Sequence, residues 1–249
     1  MPGSPDLLFE MHAGLPRQGP GDDETTREAY EKVAPLLPDR PRILDIGCGT
    51  GAQTVELARC SGGDITAVDI HQPFLDELRA RADDAGSLDR ITTISRSVFD
   101  LEFEDGTFDL IWSEGAIFIL GFERGLREWS RLVKASGCLV VSELTWLKAN
   151  PPDEPRLFME KEGAVVRTVD ENFAAARALG YEAVGSLVAP EYGWRVNYYR
   201  HLEERFGPLK EKYSGDPDAI EQLDNASEEI RLHERYSDYY GYVFYILAR

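Results

Sequence analysis

The run ILDIGCGTGAQT at positions 43–54 sets an acidic residue, Asp45, two places ahead of the first of three alternating glycines, Gly47, Gly49 and Gly51. Glycines so spaced let a backbone turn sharply and close on a ligand with no Cβ in between. The spacing alone also admits a dinucleotide, because Ala52 completes a GxGxxA form. The carboxylate separates the two chemistries, since it would repel a pyrophosphate and attract a ligand that carries ammonium or sulfonium charge. Asp69 stands about twenty residues beyond the loop, where a carboxylate can accept hydrogen bonds from both hydroxyls of a ribose. Together the two acids predict a site for a positively charged nucleoside.

S-Adenosylmethionine (SAM), with product S-adenosylhomocysteine (SAH), is a cofactor of that description. A methyl acceptor would need its own pocket. Trp112, Trp146 and Trp194 could line one, and the cluster YGWRVNYY (192–199) adds Tyr192, Arg195, Asn197 and Tyr198. The competing reading of each tryptophan is core packing, and of the cluster a seam between an insertion and the core. His12, Glu143 and Tyr192 are the candidates for accepting a proton. No metal site is expected: none of the four histidines has ligand spacing with another His, Cys or acid. Cys48, Cys60 and Cys138 form no CxxC and suggest neither a disulfide scaffold nor thiolate chemistry on arsenite.

The elements that must hold these residues alternate from Arg42 onward between short apolar runs and segments of helical period. Strands are predicted at 42–46, 65–70, 91–95, 108–113 and 138–144. A helix runs from the glycine loop to about Arg59. Another begins near Pro73 with Leu75, Leu78 and Ala82 on one face. Leu126, Trp129, Leu132 and Val133 stripe a third, which Ser136-Gly137 ends. ANPPDEP (149–155) reads as a break, followed by a helix from about Val169 to Leu179. Further strands are placed at 181–188 and 240–248, with a helical insertion between them, about 190–238, carrying Ile220, Leu223 and Ile230 at helical spacing.

Residues 41 to about 147 resemble a class I SAM-dependent methyltransferase of the broad ubiquinone/menaquinone-biosynthesis type. The resemblance rests on ILDIGCGTGAQT, on Asp69 and on RSVFDLEFEDGTFDLIWSEGAIFILGF (96–122). It implies an α/β Rossmann-like fold, a mainly parallel seven-stranded sheet with helices on both faces. In the cofactor site it places Asp45, Gly47, Cys48, Gly49, Gly51, Asp69 and Ile70. Ser97 and Val98 would lie beside the adenine, with Ser97 where many members carry Asp. Ser113, Glu114 and Gly115 would meet the methionine part. PGDDETTREAY (20–30) resembles the segment that covers the cofactor in related enzymes, which brings Thr26 and Tyr30 near the site. The expected organisation is a covering segment at 1–40, a SAM-binding core at 41–147 and a completion of the sheet at 148–249, all in one domain.

Forty-five acidic against twenty-seven basic side chains give a net charge of −18, which repels nucleic acid over most of the surface. Residues 113–115 also lack the Asp/Asn-Pro-Pro-Tyr signature of enzymes that methylate base amines. The N-terminal run MPGSPDLLFE has no basic and apolar leader, and no apolar stretch approaches a membrane span, so a cytoplasmic enzyme is expected. The expected activity is methyl transfer to a small molecule. Alternatives are a SAM-binding sensor or partner subunit, another SAM-dependent reaction, methylation of a protein side chain, and a remote NAD oxidoreductase.

Overall fold

In the computed structural model, which describes residues 5–249, the apolar runs form one sheet. β1 (Arg42–Ile46), β2 (Asp64–Asp69), β3 (Ile91–Ser95), β4 (Phe108–Ser113) and β5 (Val133–Trp146) lie parallel in the order β3-β2-β1-β4-β5. β6 (Arg167–Thr168) pairs for two residues with the end of β5. β7 (Glu182–Val188) forms the far edge, and β8 (Tyr240–Ala248) runs antiparallel between β5 and β7. The mainly parallel seven-stranded path is as expected, with β6 as a short addition. The order reverses between β1 and β4, and the crevice at the carboxyl ends of those strands is where sheets of this kind bind ligands.

The helices are α1 (Pro5–His12), α2 (Asp23–Val33), α3 (Ala52–Ser61), α4 (Gln72–Asp84), α5 (Phe122–Trp129), α6 (Asp153–Lys161), α7 (Val169–Ala178), α8 (Glu191–Trp194), α9 (Arg200–Lys212) and α10 (Pro217–Tyr236). Val33, Leu57 and Leu78 of α2, α3 and α4 pack on one sheet face, against Ile43 and Trp112. Leu126 and Trp129 of α5 and Ala176 of α7 pack on the other, against Leu44 and Ile111. With both faces covered, β4 is buried at every position and β8 at all but two, which is why neither alternates in polarity.

A third apolar cluster joins Leu7 and Met11 of α1 to Leu202 and Phe206 of α9 and Leu223 and Ile230 of α10. The covering segment and the insertion therefore form one structure over the crevice. Residues 1–4 of the expected covering segment lie outside the described residues. Within the insertion a π-helical turn at Arg195–Tyr199 joins α8 to α9, and Asp216 caps α10 by accepting from the Asp218 and Ala219 amides.

Three sequence expectations need correction. Leu132 lies in a short 3-10 turn after α5 and Val133 already belongs to β5, so the helical stripe ends before its apparent last residue. Ser136-Gly137 is no stop: it lies inside β5, beside the register shift between Phe108 and Leu110 of β4. The break at 149–155 contains the first turn of α6, which begins at Asp153 behind Pro152 with two acids in its first turn.

Candidate active site

The chain leaves β1 through a loop whose three glycines all have left-handed φ: 73° at Gly47, 54° at Gly49 and 80° at Gly51. Each also sits where a side chain would collide. A Cβ at Gly47 would stand 2.4 Å from that of Ala116, one at Gly49 2.9 Å from Gln18 Oε1, and one at Gly51 2.0 Å from Leu78 Cδ1. The loop is thus pressed against the segment after β4, the covering segment and α4 at once. Gly47 and Cys48 donate their amides to the Val68 carbonyl, which hangs the loop from β2. The Cys48 thiol is 1% exposed, and burial holds it well above its ordinary pKa, so it is inert.

Asp45 is wholly buried. Its Oδ2 accepts from Thr54 Oγ1 at 2.6 Å and from Gln53 Nε2 at 3.5 Å, while Oδ1 has no hydrogen-bond partner. Desolvation pushes its pKa up to about 7, a shift the Thr54 hydroxyl opposes and the nearby Glu114 and Asp69 charges reinforce. Asp69 accepts from the Gly49 amide at 3.0 Å and the His71 amide at 2.9 Å, and burial raises its pKa as well. It does not cap α4 with its side chain in the manner of an N-cap, since His71 holds that position. Next to Asp69, Ile70 is 63% exposed, and Phe99, after β3, is 56% exposed. Ser97 and Val98 are half-buried beside them, and Ser97 Oγ accepts from the Phe99 amide.

At the end of β4, Ser113 Oγ donates to the Ile46 carbonyl, and the Gly115 amide donates to Ser142 Oγ on β5. Glu114 is fully engaged by protein: Oε1 accepts from Thr26 Oγ1 at 2.8 Å and from Trp112 Nε1 at 2.9 Å, and Oε2 pairs with Arg17 at 3.2 Å. Arg17 is itself buried and also reaches Asp23. Gln18 completes the closure, its Oε1 accepting from the amide and hydroxyl of Thr50 in the glycine loop.

Residues 43–137 match the family described as a methyltransferase domain. That stretch holds the glycine loop, Asp69 and β4, and the chain's relatives and structural neighbours include SAM-dependent methyltransferases. It is 26% identical, over 91% of its own length and 85% of the relative's, to the 27-O-demethylrifamycin SV methyltransferase of Amycolatopsis mediterranei. It is 33% identical over 57% of its length to the dimethylglycine N-methyltransferase of Parasynechococcus marenigrum, spanning 51% of that protein. A SAM-dependent methyltransferase from Geobacter sulfurreducens, solved with SAH, superposes with a TM-score of 0.79 over the whole of both chains at 22% identity.

Around this site the sequence candidates for an acceptor pocket separate. Trp112 is wholly buried in the core and reaches the site only through its indole N–H on Glu114. Trp146 packs edge-on to Tyr240 beside Met159, away from the glycine loop's cluster. Trp194 is 3% exposed and stacks between His233 and Tyr242. Arg195 points to α10, pairing with Glu191 and Glu234, and Tyr192 is exposed. Trp112 and Trp146 are thus packed in the core, while Arg195 is paired at the surface. Tyr30 likewise packs in the core, whereas Thr26 holds Glu114.

Of the proton acceptors, Glu143 lies on the sheet face opposite Ser142, next to Val141 and Val243, with its pKa raised to about 7 by burial. His12 is oriented on both sides: Nδ1 must donate to the Leu8 carbonyl at 2.7 Å, so neutral Nε2 accepts from the Tyr198 hydroxyl at 2.9 Å. Burial lowers the His12 pKa. Sequence reasoning missed Arg17, Gln18, Ser142 and Tyr242, whose oxygen lies 3.8 Å from where a side chain at Gly115 would begin. Each reaches the site from a distant part of the chain and carries no local motif.

Proposed function

We propose that the chain transfers a methyl group from SAM to a small-molecule acceptor held between α1, the π turn and the carboxyl ends of β4 and β5. The observation that carries this reading is Asp45 Oδ1, a buried carboxylate oxygen without a partner at the foot of a glycine loop whose Cβ positions are all filled. A buried carboxylate left unpaired is strongly unfavourable, and a cationic ligand is its natural complement. Asp69 keeps lone pairs free for ribose hydroxyls, and Ile70 and Phe99 offer open apolar surface to a purine ring.

When bound, SAM supplies a methyl group on a sulfonium, so the protein need only align the nucleophile and exclude water. Asp45 and the glycine loop orient the donor. Glu114, Arg17 and Thr26 fasten the covering segment over it, and Gln18 ties that segment to the loop. His12, unprotonated near neutrality, would accept a proton from a hydroxyl acceptor through the Tyr198 phenol. A relative that acts on dimethylglycine and one that acts on a rifamycin both support an acceptor of small-molecule size.

Calorimetric titration with SAM, SAH and NAD tests the cofactor assignment, and a methyl-release screen over phenols, quinols, thiols and amines then separates enzyme from sensor. Binding of both adenosyl ligands, none of NAD, and turnover in the screen are expected. If neither adenosyl ligand binds, the site has been misread. Tight binding with no turnover on any acceptor class would favour the sensor.

A further inference from the structure

The Tyr198 hydroxyl has one proton, and it is committed. It donates to His12 Nε2 at 2.9 Å, because the other ring nitrogen of His12 donates to the Leu8 carbonyl at 2.7 Å. The Tyr198 oxygen is left with accepting capacity only. Burial, assisted by the Arg205 charge and opposed by the Leu8 bond, lowers the His12 pKa and keeps the ring neutral. The Tyr242 hydroxyl is in the opposite condition. Tyr242 is half-buried and its ring is stacked on Trp194 at 5.1 Å, yet its hydroxyl has no hydrogen-bond partner among the described residues and is not sealed from solvent. It therefore keeps a proton to give.

Both phenols stand at the end of the site where the methionine part of the cofactor is expected. The Tyr242 oxygen lies 3.8 Å from where a side chain at Gly115 would begin, and the Gly115 amide is bound to Ser142 on β5. Trp194, on which Tyr242 stacks, precedes Tyr198 by one turn, and both tyrosines pack against the cluster that contains Trp194. The Tyr198 phenol is held protonated by burial, with Glu229 and Tyr242 both near enough to add to this. Gln18 fixes the other side: its Nε2 donates to the His12 carbonyl at 3.3 Å while its Oε1 accepts from the Thr50 amide at 2.9 Å, so one side chain joins His12 to the glycine loop. Glu114, the acid next to Gly115, is taken by Thr26, Trp112 and Arg17 and so is not offered to an ammonium group of an acceptor.

We propose that the methyl acceptor is a hydroxyl compound, an alcohol or a phenol, whose oxygen is held between Tyr198 and Tyr242. A hydroxyl has one proton and two lone pairs, which matches this pair of partners. Its proton is donated to Tyr198, one lone pair accepts from Tyr242, and the second is left for the methyl carbon. An amine has a single lone pair, which cannot both receive the Tyr242 proton and attack. In the transfer the acceptor oxygen's free pair bonds to the methyl carbon as the carbon–sulfur bond breaks and its electrons return to sulfur. The acceptor's proton passes to Tyr198 as the Tyr198 proton passes to His12, which acts through that phenol. The proposal rests on the methyl-transfer reading and names its substrate class.

The test follows methyl release from SAM by the full chain on matched probes, phenol with aniline and benzyl alcohol with benzylamine, together with thiophenol, and identifies the products by mass. The hydroxyl probes should be methylated with kcat/KM roughly tenfold or more above their amines and the thiol. Tyr242→Phe should raise KM for a hydroxyl probe roughly five- to tenfold with kcat little changed. It should leave SAH affinity and the melting temperature as they were, because the hydroxyl it removes has no protein partner. Tyr198→Phe should lower kcat about a hundredfold. Preferential methylation of an amine or the thiol, no product from either hydroxyl probe in a chain that binds SAH, or a Tyr242→Phe variant that keeps its KM would overturn the proposal. Tyr242→Phe decides the matter even if Tyr198→Phe folds poorly. A chain that binds neither SAM nor SAH would overturn the methyl-transfer reading as well, whereas methylation of amines alone would leave that reading standing.

Discussion

A carboxylate enclosed as Asp45 is, with one oxygen unpartnered and a pKa near 7, is expensive to ionise until a cation arrives. SAM binding should therefore be linked to loss of a proton from Asp45 below neutrality. If the bound ligand returns the carboxyl to an ordinary pKa, affinity falls about tenfold per pH unit on the acid side of pH 7, and about twentyfold between pH 7.5 and 5.5. Titrations of SAM across that range check this. Asp45→Asn should bind SAM weakly with little pH dependence; a variant that kept the slope would assign the proton to another group. Glu143 has a similar pKa but faces the other side of the sheet, so Glu143→Gln should leave the slope intact. Asp45 could be singled out from sequence because the residues around it, the glycine loop, Gln53 and Thr54, lie two to nine positions away. Glu114 was less so: its place at the strand end suggested ligand contact, whereas its oxygens are taken by Thr26, Trp112 and Arg17.

At the scale of elements, runs buried on both faces are easiest to read, which is why β1, β4 and β8 begin and end where the residues suggested. The misreadings arise where one pattern runs into another. Leu126, Trp129, Leu132 and Val133 keep helical spacing although the chain has already straightened at Val133. α6 was hidden behind Pro151-Pro152 because only Pro155 and Met159 of its residues are buried. The closure of the covering segment was hidden for another reason: Arg17 and Glu114 are ninety-seven positions apart. Their side chains are 7% and 8% exposed, so Glu114→Ala would leave a buried guanidinium with the exposed Asp23 as its ion-pair partner and the Thr26 hydroxyl at 3.5 Å. We expect a loss of about 2–4 kcal/mol, read by urea denaturation of the unliganded chain, together with earlier proteolysis within residues 13–22. A loss under about 0.5 kcal/mol would mean that the segment is held by the α1 and α9 packing alone.

For the molecule as a whole, the buried acids set an unusual direction for stability against pH. Asp45 and Glu143 both have folded pKa values raised to about 7, and burial also raises those of Asp69 and Glu114. A carboxyl with a raised folded pKa favours the folded state at acid pH, and that contribution is lost as pH rises through the folded value. From pH 6 to pH 8 each of the two groups near 7 should cost about 1.4 kcal/mol, partly offset by buried His12 and His233, whose lowered folded pKa values favour the folded state as unfolded imidazoles lose their protons, so the unliganded chain should melt a few degrees lower at pH 8. The depressed pKa values of Glu10, Glu154, Glu171 and Glu228 act at lower pH, where those surface acids become protonated, and do not offset this. Repulsion from the net charge of −18 works in the same direction, but salt screens it, whereas buried groups are screened far less. Melting curves at pH 6 and 8, each at low and at about 0.5 M salt, separate the two causes. A gap that closes at high salt would assign the effect to surface repulsion, and one that persists but shrinks in Asp45→Asn would assign it to the acids at the site. Saturating SAM should narrow the same gap, because its charge stabilises the ionised Asp45 that the unliganded chain disfavours.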